Sequence, residues 1–132
     1  MKIWATFILT LLSIPNMIAQ NNEMMVRMSE IEIDINFLPE YIKILKEEAR
    51  LSVELEPGVI SIYPMFEKDN PAQIKILEIY ANRIAYEAHL KTPHFLAYKT
   101  STLKMVKSLK LIDMESIDAT TMKKIFEKIK SE

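Results

Sequence analysis

The stretch ILEIYANRIAYEAHLKTPHFLAY, residues Ile76 to Tyr98, decides the predicted fold and carries the candidate chemistry. It begins as an apolar strand with one acid inside it, Glu78, and continues into a helical segment that holds both histidines of the chain, His89 and His94. Histidine gives or takes a proton near neutral pH, so a strand acid followed by two histidines is a candidate acid/base site.

Two capping signals divide the helical part of this stretch. Asn82 is a typical N-cap for a first helix, and Thr92, followed by a proline, is a typical N-cap for a second. His89 is therefore expected near the end of one helix and His94 near the start of the next. One helical turn separates His94 from Tyr98, and this spacing allows a hydrogen bond between them.

The rest of the chain extends this pattern in both directions. Alternating apolar residues predict four strands and helical spacing predicts a long first helix. The predicted strands span residues 25–34, 59–67, 73–80 and 108–114, and the first helix spans residues 38 to about 55. The order is strand, helix, strand, strand, helix, strand, which is the ferredoxin-like βαββαβ arrangement of an α+β fold with an antiparallel sheet. Gly58, the only glycine, is where a chain reversal that needs a positive φ would cost least.

The second and third strands are apolar on both faces. In the second strand, alternation sets three residues against three others: Ile60, Ile62 and Phe66 against Val59, Tyr63 and Met65. A sheet covered by helices on one side only would show a polar face, so another copy of the chain is expected to cover the second face. Pro64 indicates an edge strand or a bulge.

Composition excludes several classes of protein. The 132 residues include 17 basic and 18 acidic side chains, so the chain lacks the basic field that nucleic-acid binding requires. The absence of cysteine excludes disulfides, thiolate metal sites and cysteine nucleophiles.

The N-terminus is typical of a secretory signal peptide. An uncharged run from Ile3 to Ile14 follows Lys2, and cleavage is expected after Ala19. The run is shorter than the ~20 residues of a membrane-spanning helix, so an uncleaved anchor is the alternative and no stable anchor is expected after cleavage. Residues 1–19 are thus a predicted signal peptide, and the mature protein is expected to be secreted or periplasmic. Residues 20–132 are predicted to form one domain, with a core at 24–114 and a C-terminal extension at 115–132 containing a further amphipathic helix.

Four runs of sequence resemble the antibiotic biosynthesis monooxygenase family, in particular its candidate quinol monooxygenases. They are VELEPGVISIY (53–63), EKDNP (67–71), the stretch from Ile76 to Tyr98, and MVKSLKLID (105–113). The resemblance implies a homodimeric α+β barrel in which each subunit has a pocket between sheet and helices. It also implies oxidation of a small quinol-like or polyphenolic molecule by dioxygen, without metal, flavin or other cofactor.

Within the resemblance, His94 or His89 is the candidate proton acceptor, and Glu78 is the candidate base or substrate-orienting acid. Each of the three could equally have a purely structural role. The aromatic residues expected to line the pocket are Tyr63, Tyr80, Tyr86, Phe95 and Tyr98. No metal site is expected, because the interval between the two histidines is one residue longer than the i, i+4 pair of a helical zinc site and a proline breaks the helix between them.

Other functions share the same fold. A non-enzymatic dimer could bind a small molecule in the same pocket, and the domain could serve mainly for dimerisation. Related branches of the superfamily degrade haem or isomerise a phosphorylated signalling sugar. The chain offers no basic cluster for a phosphate, and cleavage after Ala19 would remove Trp4, the only tryptophan, which disfavours the haem branch.

Overall fold

The computed structural model describes residues 23–130. The predicted signal peptide, residues 1–19, lies outside this range, so the signal peptide and the secreted or periplasmic location stay predictions. Within residues 23–130, no helix is both long and apolar enough to cross a bilayer.

The described part of the chain contains four strands and four α-helices in the predicted order. They are β1 (Met25–Ile33), α1 (Leu38–Leu55), β2 (Val59–Glu67), β3 (Asn70–Tyr80), α2 (Arg83–His89), α3 (Pro93–Thr102), β4 (Val106–Met114) and α4 (Ala119–Ile129). One turn of 3-10 helix precedes α1 and another precedes β4. The break between α2 and α3 falls where the capping signals predict it, since Asn82 and Thr92 both accept N-cap hydrogen bonds through their side chains.

The strands form one antiparallel sheet in the order β2-β3-β1-β4. This topology confirms the ferredoxin-like α+β fold. Pro64 lies in β2, which is an edge strand. Proline has no N–H to donate within a sheet, so an edge position suits it. The strict alternation predicted for β2 is wrong at its start. A register shift between Val59 and Ser61 brings Val59 and Ile62 to the same buried face of the sheet.

The core lies between the sheet and α1. The two central strands contribute buried isoleucines, and α1 contributes one apolar stripe. The residues are Ile31, Ile33, Ile74 and Ile76 on the sheet, and Leu38, Leu45 and Ala49 on the helix. Their positions match the period of two in the strands and 3.6 in the helix, so local sequence determines which face of each element is buried.

The opposite face of the sheet carries exposed apolar side chains. Tyr63 is 62% exposed and Met65 is 39% exposed in the single chain. Helix α4 likewise presents Ile125, Phe126 and Ile129 to solvent. Burial of such surface by a second copy would be favourable, and the homodimer stays a prediction.

Gly58 does not have the positive φ that the sequence suggested. A Cβ atom at this position would instead lie 2.5 Å from Cβ of Ala85, in α2. That separation is far below a van der Waals contact. Glycine is therefore needed here because the start of β2 passes directly against α2, close to where α2 presents His89.

We expect Gly58→Ala to destabilise the protein by about 1–3 kcal/mol, because the added methyl group overpacks this contact. Urea unfolding of the variant and the parent measures the difference. The matched double variant, Gly58→Ala with Ala85→Gly, should recover part of the loss, offset by about 1 kcal/mol for a glycine inside α2. If the two substitutions prove simply additive, the steric explanation is wrong.

Candidate active site

A pocket of about 540 Å³ lies between the sheet and the helices. Its volume falls in the usual range for small-molecule sites, roughly 300–1,000 Å³. Apolar side chains such as Ile31, Leu45 and Ile76 form much of its wall. Leu103 and Leu111 also line it but are 75% and 51% exposed, so the pocket opens to solvent near β4.

Glu56 connects the two histidines. His89 Nδ1 lies 2.9 Å and His94 Nε2 lies 2.7 Å from the same carboxylate oxygen, Glu56 Oε2. Pro57 disfavours helical geometry in the residue before it, and Glu56 accordingly is the C-cap of α1. His89 is the last residue of α2 and His94 lies in the first turn of α3, so one carboxylate joins three helices.

The turn between α2 and α3 is held by Thr92. Its hydroxyl donates to the main-chain oxygen of His89 at 2.8 Å and accepts from the N–H of Phe95 at 3.3 Å. The ring of Phe95 packs on the His89 imidazole with 4.8 Å between centroids, and Tyr80 packs at 5.5 Å. His89 is therefore fixed by its neighbours on both sides of the pocket wall.

Glu48, on α1, brings a second carboxylate to His89. Its Oε1 lies 3.7 Å from His89 Nε2 and accepts a hydrogen bond from Ser52 Oγ at 2.7 Å. Burial raises the pKa of Glu48, while the Ser52 hydrogen bond and the two imidazoles oppose the shift. Both Glu48 and His89 line the pocket.

Glu78 lies on β3 and faces the same pocket. Burial raises the pKa of this carboxyl above its ordinary value, and a hydrogen bond with Ser29 and the charge of Arg27 act in the opposite direction. Desolvation outweighs both, so the neutral acid, which can donate a hydrogen bond, is favoured relative to a solvated glutamate.

Arg27, on β1, is the buried cation of the pocket wall. Burial disfavours its charge, but hydrogen bonds with Asp113 and Tyr86 outweigh that effect and raise its pKa. Its Nη2 lies 2.7 Å from Asp113 Oδ1, and its Nη1 donates to the Tyr86 hydroxyl at 2.8 Å. The guanidinium is thus largely neutralised, and the other cationic side chain of the pocket lining is the exposed Lys99.

The buried tyrosines are neutral at physiological pH. Burial raises the pKa of Tyr98 to about 12 and raises those of Tyr41 and Tyr80 still further. The hydroxyls of Tyr41 and Tyr98 share a hydrogen bond of 2.7 Å. Tyr80 and Tyr98 line the pocket and can position a ligand there, but they are poor bases in this state.

Six of the eight predicted site residues line the pocket: Glu78, Tyr80, Tyr86, His89, Phe95 and Tyr98. His94 lies behind the wall on Glu56, and Tyr63 projects from the opposite sheet face, so neither is part of the lining. The hydrogen bond that the spacing allows between His94 and Tyr98 does not form. The His94 imidazole instead contacts Glu56, and the Tyr98 hydroxyl contacts Tyr41.

Sequence reasoning missed the polar residues that organise the histidines. Glu48 and Ser52 follow Leu45 at helical spacing on the buried stripe of α1. Polar residues at such core positions indicate a functional site, and this signal was present in the sequence. Glu56 gave no such signal, since a glutamate before Pro57 and Gly58 is equally typical of an exposed helix end.

Comparison with known proteins supports the fold and the family. The family model described as antibiotic biosynthesis monooxygenase matches residues 24–101. A candidate antibiotic biosynthesis monooxygenase from Bacteroides thetaiotaomicron is similar at 49% identity and a TM-score of 0.72, over 73% of this chain and 91% of that one. A comparison with curated proteins gave no significant match.

Two further solved structures are similar in fold to this chain. A candidate monooxygenase from Lactobacillus acidophilus has 29% identity and a TM-score of 0.69 over 73% of this chain, and the match spans 46% of that protein's length. A candidate antibiotic biosynthesis monooxygenase from Nitrosomonas europaea, at 17% identity and a TM-score of 0.69 over 74% of this chain and 94% of that one, shows the same fold. The family model matches more than half of this chain, and this match shows that the chain belongs to the antibiotic biosynthesis monooxygenase family.

Proposed function

We propose that this protein is a monooxygenase that oxidises a small quinol-like or polyphenolic molecule with dioxygen and needs no cofactor. The observation that carries the proposal is a histidine, His89, held by Glu56 at the wall of a largely apolar pocket. Membership of the monooxygenase family supports the reaction class. The mature protein is proposed to act outside the cytoplasm as a homodimer.

His89 is the better placed of the two candidate bases. With Glu56 as a carboxylate, the Nδ1–H of His89 donates to it, which leaves the lone pair on Nε2. This nitrogen faces Glu48, another residue of the pocket lining. The Nε2 atom of His94 is engaged by Glu56, so His94 helps to hold the carboxylate that positions His89.

A base and a shaped pocket are sufficient for this chemistry. When His89 removes a proton from an electron-rich substrate, the resulting anion can itself transfer an electron to dioxygen. For an anthrone-like substrate, a methylene group plus dioxygen becomes a carbonyl group plus water. One oxygen atom enters the product and the other leaves as water, so no external reductant is consumed. Glu56 and Glu48 stabilise the imidazolium that forms.

Oxygen uptake tests the reaction. In metal-free buffer, the protein should consume dioxygen with at least one member of a panel of hydroquinones and anthrones, since the substrate supplies all the electrons. Product mass should increase by one oxygen atom and decrease by two hydrogens for an anthrone. Unchanged oxygen uptake across the whole panel would rule against the proposal, and saturable binding without turnover would favour a binding protein.

We expect His89→Ala to lower kcat by roughly 10²–10⁴-fold, because a positioned general base contributes about that much. Substrate affinity should change far less, since apolar walls dominate the pocket. Glu56→Gln should lower kcat by a smaller factor, because it keeps a hydrogen-bond acceptor but loses the charge. The matched control is Glu87→Gln, at an exposed position of the same helix as His89. Loss of affinity in His89→Ala with kcat intact would contradict the assignment.

We expect Glu78→Gln to stabilise the fold at neutral pH. Burial raises the pKa of Glu78 in the folded state, so its stabilising contribution is complete below the unfolded pKa and is lost as the pH rises through the folded pKa. Glutamine cannot ionise. The unfolding free energy of Glu78→Gln should therefore exceed that of the parent at about pH 7, with little difference near pH 4. An equal difference at both pH values would show that ionisation is not the cause.

A further inference from the structure

Glu48, His89 and His94 form a compact group of potential metal ligands. One donor atom from each lies within 4.8 Å of the other two. Glu48 and His89 are buried, and His94 is 11% exposed through its side chain. The two histidines are five positions apart with a proline between them, and they still meet. His89 reaches the cluster from α2 and His94 reaches it from α3.

The cluster holds two carboxyl groups and no permanently charged cation among their ion-pair partners. Glu48 and Glu56 bring two carboxylates into a region where their ion-pair partners, among residues 23–130, are histidines rather than lysine or arginine. A buried carboxylate without a cation is costly, and burial accordingly raises the pKa of Glu48. A divalent cation would neutralise both carboxylates.

The donor types select the kind of cation. Two imidazoles and one carboxylate are a set used by catalytic Zn²⁺ sites and by non-haem Fe²⁺ sites, whereas Mg²⁺ and Ca²⁺ prefer oxygen ligands alone. In a tetrahedral zinc site, bonds of about 2.0–2.2 Å place donor atoms roughly 3.3–3.5 Å apart. The Glu48 to His89 separation of 3.7 Å is already close to that value.

We propose that Glu48, His89 and His94 bind one divalent transition-metal ion, with Zn²⁺ as the matching probe. Glu56 keeps its hydrogen bond to His89 Nδ1 and so presents Nε2 to the metal, as outer partners of metal-bound histidines commonly do. On metal binding, His94 exchanges its Nε2 contact with Glu56 for the metal. The pocket beside Glu48 and His89 gives water access to the fourth coordination position. The site is therefore of the open rather than the closed, structural kind.

Metal binding has a consequence for the oxidation. The metal and the substrate proton would both use the Nε2 lone pair of His89, so the metal-bound protein has no free base. This consequence rests on the proposed function, whereas the metal site does not. Zn²⁺ would act as an inhibitor that competes for the base.

Binding is measured on the metal-free protein without substrate. Zn²⁺ titration against a competing chromogenic chelator should give one ion per chain. Glu48→Gln and His94→Ala should each weaken binding by about 100-fold or more, because loss of a ligand costs at least as much as loss of an outer partner. The control Glu54→Gln removes an exposed carboxylate from the same helix as Glu48 and should bind Zn²⁺ like the parent.

A second readout reports the ligands directly. Co²⁺ bound at the site should show the visible absorption of a four-coordinate ion, and Glu48→Gln should lose that spectrum while keeping the far-ultraviolet circular dichroism of the folded chain. No saturable Zn²⁺ binding, or equal affinity in Glu48→Gln and Glu54→Gln, would overturn the metal site. Oxygen uptake by the metal-free protein, measured separately, decides the proposed reaction and leaves the result on metal binding unaffected.

Discussion

A single carboxylate oxygen, Oε2 of Glu56, organises the site. It accepts hydrogen bonds from His89 at the end of α2 and from His94 at the start of α3, and it stands at the end of α1. With Glu56 as a carboxylate this contact is charge-assisted, and its groups are largely shielded from water, so it is stronger than an exposed pair and its loss would leave polar atoms unsatisfied. The orientation of His89 in the pocket, and hence its tautomer, depend on it.

The same cluster underlies both the proposed oxidation and the proposed metal site. Glu48 and Glu56 are held away from water with histidines as their ion-pair partners in the described part of the chain. Carboxylates favour a positive species that forms beside them. In the proposed oxidation the positive species is a proton on His89, and in the proposed metal site it is a divalent ion. The two states exclude each other, because both use the same nitrogen.

Local sequence signals predicted the architecture well. The N-caps Asn82 and Thr92 act within one helical turn, so the break between α2 and α3 could be predicted from the sequence. The position of Glu78 on the inner face of β3 could be predicted as well. Glu56 and Arg27 were missed, because their partners lie 33 or more positions away along the chain. Spacing along one helix also says little about whether the two histidines meet, because they reach the cluster with Glu48 from two different helices.

The sequence by itself determined the order of the elements, the buried stripe of each one and the residue types available for chemistry, because these depend on periodicity and capping over a few residues. Only the tertiary structure decided which of those residues meet. It selected His89 over His94 for the pocket wall, and it turned Gly58 from an expected turn residue into a close-packing position against Ala85. Such choices follow from how α1, α2 and α3 pack on the sheet, and close contact between helices is a long-range property that spacing along the chain does not contain.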